Sequence, residues 1–413
     1  MTLLITPTAS SQRIELLDAL RGLAIFGILM VNMPLFFKPV SAMLLGYTGS
    51  GNILELFSQL FIKFFFEGKF YVIFSMLFGY GFWLFINRTS PDGKSIIPTF
   101  RWRVFYLMLF GIAHIVFLWA GDILLWYAIL GFILLLYRKV SDRGIIKWAA
   151  WLVIIPTLMI GLFTLLALLA GMDPSAKEAF EAGVKENAAG MQMLHDKAYQ
   201  VYSNGSYSEI ISTRITEYLT LMPGAFFFYP VVLAMFLAGV WAARKGIIKN
   251  YHDHLPFFSR LLKWGLIIGI PVSVAYAYAY TQAPMSEPGI WSLLGTAGHT
   301  VSGIMLGMAY VSAIVLLTAR GSLDKFLSLI AAVGRMALTN YLLHSIICTT
   351  LFLPYGFGLF GKIEYWQGIL LTIVIFSLQI PFSIFWLKHF NYGPFEWLWR
   401  SLTYRKLQPF RKS

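Results

Sequence analysis

The sequence has little charge for its size and almost no cysteine. Only 12% of its 413 residues are charged, about half of the ~25% that keeps a soluble protein hydrated. With 58% hydrophobic residues and a mean hydropathy of +0.70, this excludes a soluble enzyme, a disordered chain and a nucleic-acid-binding domain. The single cysteine, Cys348, excludes an internal disulfide and a Cys-rich zinc or iron–sulfur site.

The motifs of several well-known enzyme classes are also missing. The sequence contains no Gly-rich loop with a Walker lysine, no Gly-x-Ser-x-Gly and no His-Glu-x-x-His, so ATPase, hydrolase and zincin chemistry have no support. We also expect no secretory signal. The first apolar run has no small-residue cleavage site and carries Asp18 and Arg21.

Long apolar runs are what the sequence has instead. A stretch of roughly 17–25 apolar residues is long enough to cross a bilayer as a helix. Ten such runs predict an all-α, polytopic membrane helix bundle of about ten transmembrane helices. They lie near 17–37, 70–86, 104–119, 123–137, 148–170, 221–243, 261–281, 292–318, 336–353 and 367–387.

The basic residues predict how this bundle is oriented. Cytoplasmic loops of membrane proteins are enriched in Lys and Arg. With the N-terminus in the cytoplasm, 24 of the 32 Lys and Arg residues fall on the cytoplasmic side, and both termini are cytoplasmic. The +13 charge thus describes topology rather than a nucleic-acid partner.

The apolar runs and the one long hydrophilic stretch also predict the domain organisation. A five-span half covers 1–170, an extracytoplasmic helical segment 171–220, a second five-span half 221–390, and a basic cytoplasmic tail 391–413. Within the first half, 53–68 is an amphipathic helix whose polar stripe repeats every four residues from Glu55 to Glu67. This helix either lies in the outer interface or packs with its polar stripe towards a cavity.

Polar groups inside the predicted spans are costly, so they are candidate functional residues. In the first span Asp18 and Arg21 are three residues apart and can pair, and Asn32 shares the face of Arg21. His114 lies in the third span about five residues before a tight hairpin, in which Asp122 follows. A carboxylate beside an imidazole fixes its tautomer, as a general base requires. The alternative is a structural histidine, with Asp122 capping the next helix.

Two further sets of polar residues lie in other spans. Glu67, Lys69 and His299 are placed in the outer half of the membrane. If the helices converge, they would line one outward-facing cavity together with Asn32, His114 and Asp122. Asn340 and His344 are four residues apart on one helix face. They form either a helix–helix contact or a proton or substrate pathway. No metal site is predicted.

Several sequence motifs that contain these residues resemble those of a known family. Leu17-Asp18-Ala19-Leu20-Arg21-Gly22 through Asn32, Gly68-Lys69-Phe70, and Gly111 through Leu124 resemble the YeiB-like bacterial membrane proteins. Gly334-Arg335-Met336-Ala337 through Ser345 resembles their C-terminal domain of unknown function 418. The first-span string also resembles a wider clan of transmembrane acyltransferases. That clan is understood to move an acyl group from cytoplasmic acyl-CoA to an acceptor beyond the membrane.

The resemblance implies an acyltransferase, but it departs from the sugar O-acyltransferases at one position. Their first-span motif ends in a catalytic histidine, where this sequence has Asn32, so His114 or another base would have to take that role. The leading hypothesis is a multi-pass protein of the bacterial inner membrane in which His114, oriented by Asp122, deprotonates the acceptor. Asn32 would donate to the oxyanion, and Arg21 with Arg101 and Arg103 would bind the acyl-CoA phosphates.

The sequence leaves a second function open. The same polar residues would serve a small-solute transporter or efflux carrier as a proton and substrate pathway. No permanently bound cofactor is expected, with acyl-CoA as a co-substrate. The expected partners are membrane lipid and a small-molecule or glycan acceptor, without nucleic acid. The oligomeric state stays open.

Overall fold

The structure, a computed structural model, describes residues 14–45, 52–88, 95–283 and 289–412. These residues are mostly helical and contain no β-sheet, although Phe390 and Arg411 form an isolated antiparallel bridge. The predicted all-α fold is therefore confirmed. Arg13 and Lys94, both predicted on the cytoplasmic side, lie outside the described residues.

The α-helices follow one another along the chain with short connections. In chain order they are α1 (Glu15–Asn32), α2 (Pro34–Phe37), α3 (Ala42–Leu45), α4 (Ile53–Phe65), α5 (Lys69–Ile86), α6 (Ile97–Phe117), α7 (Leu124–Leu134), α8 (Asp142–Ala170), α9 (Pro174–Asn204), α10 (Tyr207–Leu221), α11 (Ala225–Arg244), α12 (Leu255–Gln282), α13 (Ile290–Ala319), α14 (Asp324–Arg335), α15 (Ala337–Phe352), α16 (Tyr365–His389) and α17 (Pro394–Tyr404).

Every predicted apolar run coincides with a helix, although α7, with 11 residues, and α15, with 16, are short. Within the described residues, eight helical stretches are long and apolar enough to cross a membrane, and the bent pair α14–α15 makes a ninth. The run at 123–137 consists of the 11-residue α7 and a 3-10 turn over Leu135–Lys139. Helix and turn together rise about 26 Å, slightly less than the ~30 Å hydrocarbon core. Nine of the ten predicted spans thus correspond to a helix or bent helix pair of spanning length, and the run at 123–137 is shorter.

The outer surface of the bundle is apolar, as contact with lipid requires. On α8 the side chain of Leu158 is 64% exposed, and Trp151 and Leu166 on the same helix are exposed as well. In water, exposed apolar side chains on this scale would be unfavourable, but lipid tails accept them at no cost. This surface is that of a membrane protein.

Helices α4 and α5 form one apolar stretch of 34 residues, Ile53–Ile86. The polar residues Glu55 and Gln59 of α4 are buried in the protein, while Ile53 and Phe57 are exposed. Glu55 accepts a hydrogen bond of 2.7 Å from the Tyr365 N–H at the start of α16. Of the two arrangements open from the sequence, the structure has the polar stripe facing the protein.

Small residues bring α1 close to α14. A Cβ atom on Gly334 would collide with the backbone of Asp18, and one on Gly22 would collide with Ile330. After this contact the chain bends by 76° into α15. The bend places Arg335 beside the start of α1 and directs α15 into the bundle.

The hydrophilic segment is helical, as its sequence predicts. The Asp173 side chain accepts hydrogen bonds from the backbone N–H groups of Ser175 and Ala176 at the start of α9. Ser206 and Glu209 form a capping box at the start of α10. The Arg214 guanidinium then donates to the Val116 carbonyl oxygen at 2.8 Å, so α10 packs against the end of α6 that carries His114.

Candidate functional site

A cavity of about 340 Å³ runs into the bundle from one end. Its mouth is built by the start of α1, the end of α5, the bend between α14 and α15, and α17. Pockets of roughly 300–1,000 Å³ are typical of small-molecule sites. Asp18 and Arg21, both predicted as site residues, line this cavity.

Basic side chains dominate the mouth of the cavity. Five arginines and two carboxylates, Asp18 and Glu396, belong to its lining. The arginines are Arg21, Arg88, Arg103, Arg335 and Arg400. This surplus of guanidinium groups suits an anionic ligand, because a guanidinium presents a planar fork to phosphate or carboxylate oxygens.

Two of these side chains are held in place by neighbours within the fold. Arg21 Nη1 lies 2.7 Å from Asp18 Oδ1, which confirms the predicted pair. The Arg103 guanidinium stacks 3.7 Å above the Trp399 ring. Arg101, grouped with Arg103 in the sequence hypothesis, is exposed and lies outside the cavity lining.

Deeper in the bundle the cavity walls are apolar. Ile25 and Ile28 of α1 face Leu107 of α6 and Leu338 of α15, and Tyr341 lies at the deep end. The Tyr341 hydroxyl donates to the Gly121 carbonyl oxygen at 3.3 Å, in the hairpin just before Asp122. A basic mouth and an apolar interior together suit an anionic amphiphile, with its charged group at the arginines.

His114 and Asp122 lie directly beyond this end. Their atoms Nδ1 and Oδ2 are 2.9 Å apart, and both side chains are fully buried. The second oxygen, Asp122 Oδ1, accepts the Leu125 N–H at 2.7 Å at the start of α7. Asp122 therefore both caps α7 and contacts the imidazole.

The other nitrogen of His114 contacts a residue that sequence reasoning did not assign to the site. His114 Nε2 lies 2.7 Å from the hydroxyl oxygen of Ser345 on α15. Tyr341, which is on α15 like Ser345, has its ring centroid 5.3 Å from that of His114. Ser345 is 231 residues away in sequence, and only its four-residue spacing from Tyr341 gave a local signal.

Asn32 extends the cavity-lining face of α1. Asp18, Arg21, Ile25 and Ile28 line the cavity at spacings of three and four residues, and Asn32 is the next position on that face. Its side chain makes no hydrogen bond to the other described residues, and it is not part of the lining. On α15, Ser345 likewise lies one helical turn beyond the cavity-lining residue Tyr341.

Glu67, Lys69 and His299 form a separate cluster between α5, α12 and α13. Glu67 Oε2 lies 2.9 Å from Lys63 Nζ, and its Oε1 accepts the Tyr276 hydroxyl at 2.7 Å. Lys69 is fully buried and donates to the Lys63 carbonyl oxygen at 2.9 Å. The His299 ring lies 5.6 Å from the Tyr276 ring. Neither these three residues nor His114 belongs to the lining of the cavity described above.

Asn340 and His344 face α16 rather than the cavity. Asn340 Nδ2 donates to Ser383 Oγ at 3.1 Å, and His344 Nε2 lies 2.7 Å from Gln379 Oε1. The Gln379 amide in turn donates to the Asn340 carbonyl oxygen at 3.1 Å. This geometry is the helix–helix contact that the sequence offered as one of two interpretations.

A metal centre finds no ligand set in the described part of the chain, where no three His, Cys, Asp or Glu residues are grouped to hold an ion. The groups able to hold a charged substrate are the mouth arginines. The groups able to move a proton next to the cavity are His114, Asp122 and Ser345.

Comparison with known proteins places this architecture in a family. The family described as "Protein of unknown function (DUF418)" matches residues 242–406 of the chain. The chain is similar to "Uncharacterized protein YxaH" of Bacillus subtilis, with 36% identity over 98% of both chains. It is also similar to "Uncharacterized protein YeiB" of Escherichia coli, with 30% identity over 95% of this chain and 97% of the relative. No solved structure matches the chain. The chain therefore belongs to the DUF418 family of YeiB-like membrane proteins, as its motifs predict.

Proposed function

We propose that this protein is an acyltransferase of the bacterial inner membrane. In this proposal it takes an acyl group from a cytoplasmic donor such as acyl-CoA and passes it to a hydroxyl or amine acceptor on the other side. The observation that carries the proposal is the cavity, which leads from an arginine-rich mouth through apolar walls to Tyr341, beside His114. A general base at the end of a site for an anionic amphiphile is what acyl transfer requires.

The two ends of the cavity suit the two parts of such a donor. Arg21 and Arg103 at the mouth are positioned for the phosphates of acyl-CoA. The apolar wall formed by Ile25, Ile28 and Leu107 suits the acyl chain. Tyr341 closes the deep end, so the acyl carbonyl reaches the base only when this ring moves aside.

His114 supplies the proton transfer in this mechanism. With Asp122 beside Nδ1, the imidazole keeps its proton on that nitrogen and presents Nε2 as the base. The acceptor gives its proton to Nε2 as its oxygen or nitrogen attacks the acyl carbonyl. Asn32, next along the cavity-lining face of α1, would donate a hydrogen bond to the oxyanion.

The proposal is tested with purified protein and radiolabelled acyl donors. Wild type is incubated with [14C]acetyl-CoA or [14C]palmitoyl-CoA and a membrane lipid and glycan extract, and the labelled product is separated from the donor. His114→Gln should lower the rate of transfer about 10²–10⁴-fold, because a positioned general base contributes a factor of that size.

His254→Gln is the matched control. His254 lies in a 3-10 turn before α12, far along the chain from the cavity lining, and its replacement should leave transfer unchanged. Transfer at the wild-type rate in His114→Gln would contradict the assignment of His114. Absence of transfer from both donors in wild type would contradict acyl transfer itself.

A small-solute carrier is the second candidate, and the buried cluster around Lys69 favours it. Ionisable groups inside a membrane protein often form proton or substrate pathways, and Lys63, Glu67 and Lys69 lie together there. A carrier would move a labelled solute across proteoliposomes without covalent change to it. Lys69→Met would abolish such transport but leave acyl transfer intact, which separates the two functions.

A further inference from the structure

Three side chains from separate helices and a hairpin form a row beyond the end of the cavity. Ser345 Oγ lies 2.7 Å from His114 Nε2, and His114 Nδ1 lies 2.9 Å from Asp122 Oδ2. All three residues are buried. A hydroxyl, an imidazole and a carboxylate in this order are the arrangement that activates a serine nucleophile.

The hydroxyl of Ser345 has a different partner from the two threonine hydroxyls that follow it on α15. Thr349 and Thr350 each donate to the carbonyl oxygen one turn earlier, at 2.7 Å, as Ser and Thr commonly do inside helices. Ser345 does not make this bond among the described residues, and its hydroxyl contacts His114 instead. Its proton is therefore directed at a base rather than held by the backbone.

The carboxylate is fixed in a way that sets the proton on the imidazole. Asp122 Oδ1 accepts the Leu125 N–H, which leaves Oδ2 to face His114 Nδ1. Among the described residues neither Nδ1 nor Oδ2 makes a hydrogen bond, so the 2.9 Å ion-pair contact joins two buried polar atoms that have no other polar partner. Because the carboxylate favours the tautomer protonated at Nδ1, Nε2 is left as an acceptor for the Ser345 hydroxyl.

We propose that Ser345 is the nucleophile of a two-step transfer and carries the acyl group as a serine ester. This inference rests on the proposed acyl transfer and specifies its route. In the first step His114 Nε2 takes the Ser345 proton, while Oγ attacks the carbonyl carbon of the acyl thioester. The carbon–sulfur bond breaks, and the imidazolium returns the proton to the leaving thiolate as a thiol.

The second step reverses these roles with the acceptor. The acceptor hydroxyl or amine gives its proton to His114 Nε2 and attacks the ester carbonyl on Ser345. The bond between that carbon and Ser345 Oγ breaks, and Oγ regains the proton from the imidazolium. No oxidant or reductant is needed, and the two substrates need not occupy the site together.

A fluorophosphonate probe tests the nucleophile without any acyl donor. Such a probe forms a phosphorus–oxygen bond with an activated serine and releases fluoride. Purified wild-type protein should gain one adduct by intact mass, and peptide mapping should place it on Ser345. His114→Gln and Asp122→Asn should slow the labelling about 10²-fold or more, since both act on the proton of Ser345.

Ser302→Ala is the matched control, because Ser302 is a buried serine of α13 without a hydrogen-bond partner among the described residues. It should label like wild type, whereas Ser345→Ala should not label. Thermal unfolding of each variant checks that it is folded. Labelling that persists in Ser345→Ala, or a wild type that takes no adduct on Ser345, would overturn the inference.

Acyl transfer by the same variants separates this inference from the proposed function. If transfer is lost in His114→Gln but unchanged in Ser345→Ala, acyl transfer stands and the serine ester is wrong. The serine ester predicts instead that both variants lose transfer. It also predicts that [14C]acetyl-CoA leaves hydroxylamine-sensitive label on wild type and none on Ser345→Ala.

Discussion

At the scale of single residues, the chemistry of the candidate site depends on side chains whose neighbours fix their orientation and proton positions. Both ring nitrogens of His114 face a polar group, one from Asp122 and one from Ser345. His344, which directly precedes Ser345 on α15, faces Gln379 and contributes to helix packing. Two adjacent polar residues on one helix thus point to different neighbours, which their positions in the sequence do not show.

The arginine mouth leads to a prediction for donor binding. Replacing Arg21 by Gln removes a charge-assisted hydrogen bond to a donor phosphate, a contact worth about 1.5–3 kcal/mol. The Kd for palmitoyl-CoA, measured by microscale thermophoresis on purified protein, should therefore rise about 10-fold or more. Arg320→Gln, which alters an exposed arginine after α13, is the control and should bind like wild type. Equal affinities in both variants would show that Arg21 does not bind the donor.

At the scale of elements, the bend between α14 and α15 builds much of the site. Gly334 lets α14 pack on α1, and the chain then turns by 76° so that α15 enters the bundle. One side of this bend supplies Arg335 to the mouth, and the other supplies Tyr341 and Ser345 to the deep end. The sequence predicts α15 as a span, but not the bend that orients it.

A second element, the segment α9–α10, leads to a prediction about pH. The Glu217 carboxylate on α10 accepts the Ser41 N–H at 3.0 Å and the Tyr202 hydroxyl at 2.8 Å. Burial raises the pKa of Glu217 above its ordinary value of 4.5. A raised folded-state pKa means that its contribution to stability is fully present below 4.5 and is lost as the pH rises through the folded pKa.

Amide hydrogen exchange across α9–α10 measures this effect. After correction for intrinsic rates, the segment should be better protected at pH 5 than at pH 7. Glu217→Gln should remove most of this difference, because the amide does not titrate. Glu209→Gln, at an exposed capping position of α10, should keep the difference. If Glu217→Gln retained the wild-type pH dependence, Glu217 would not be its source.

At the scale of the whole molecule, the two ends of the bundle differ in charge. Arg21, Arg88, Arg103, Arg335 and Arg400 come from segments that the sequence places on one side, and they meet at one mouth. At the other end, Lys38 lies 3.5 Å from Glu55, and Ser41 bonds to Glu217. The charge pattern predicts that the arginine mouth faces the cytoplasm.

How much the sequence could predict follows from the range of the interactions. Each apolar run gave a helix, because hydropathy and length are local properties. The pair of Asp18 and Arg21 was also predictable, since three residues of helix separate them. The contact of His114 with Ser345 was not, since it joins α6 to α15 across 231 residues. The meeting of Glu67 and His299 at Tyr276 of α12 likewise depends on how distant helices pack.

Acyl transfer from one side of the membrane to the other can be measured in sealed vesicles. Acyl-CoA does not cross bilayers, so [14C]palmitoyl-CoA is added to sealed inside-out and right-side-out membrane vesicles containing the protein. We expect labelled acceptor only in inside-out vesicles, enclosed in their lumen, and none when the vesicles carry His114→Gln. Equal labelling in both vesicle types, or labelling that His114→Gln leaves unchanged, would contradict transfer through this cavity.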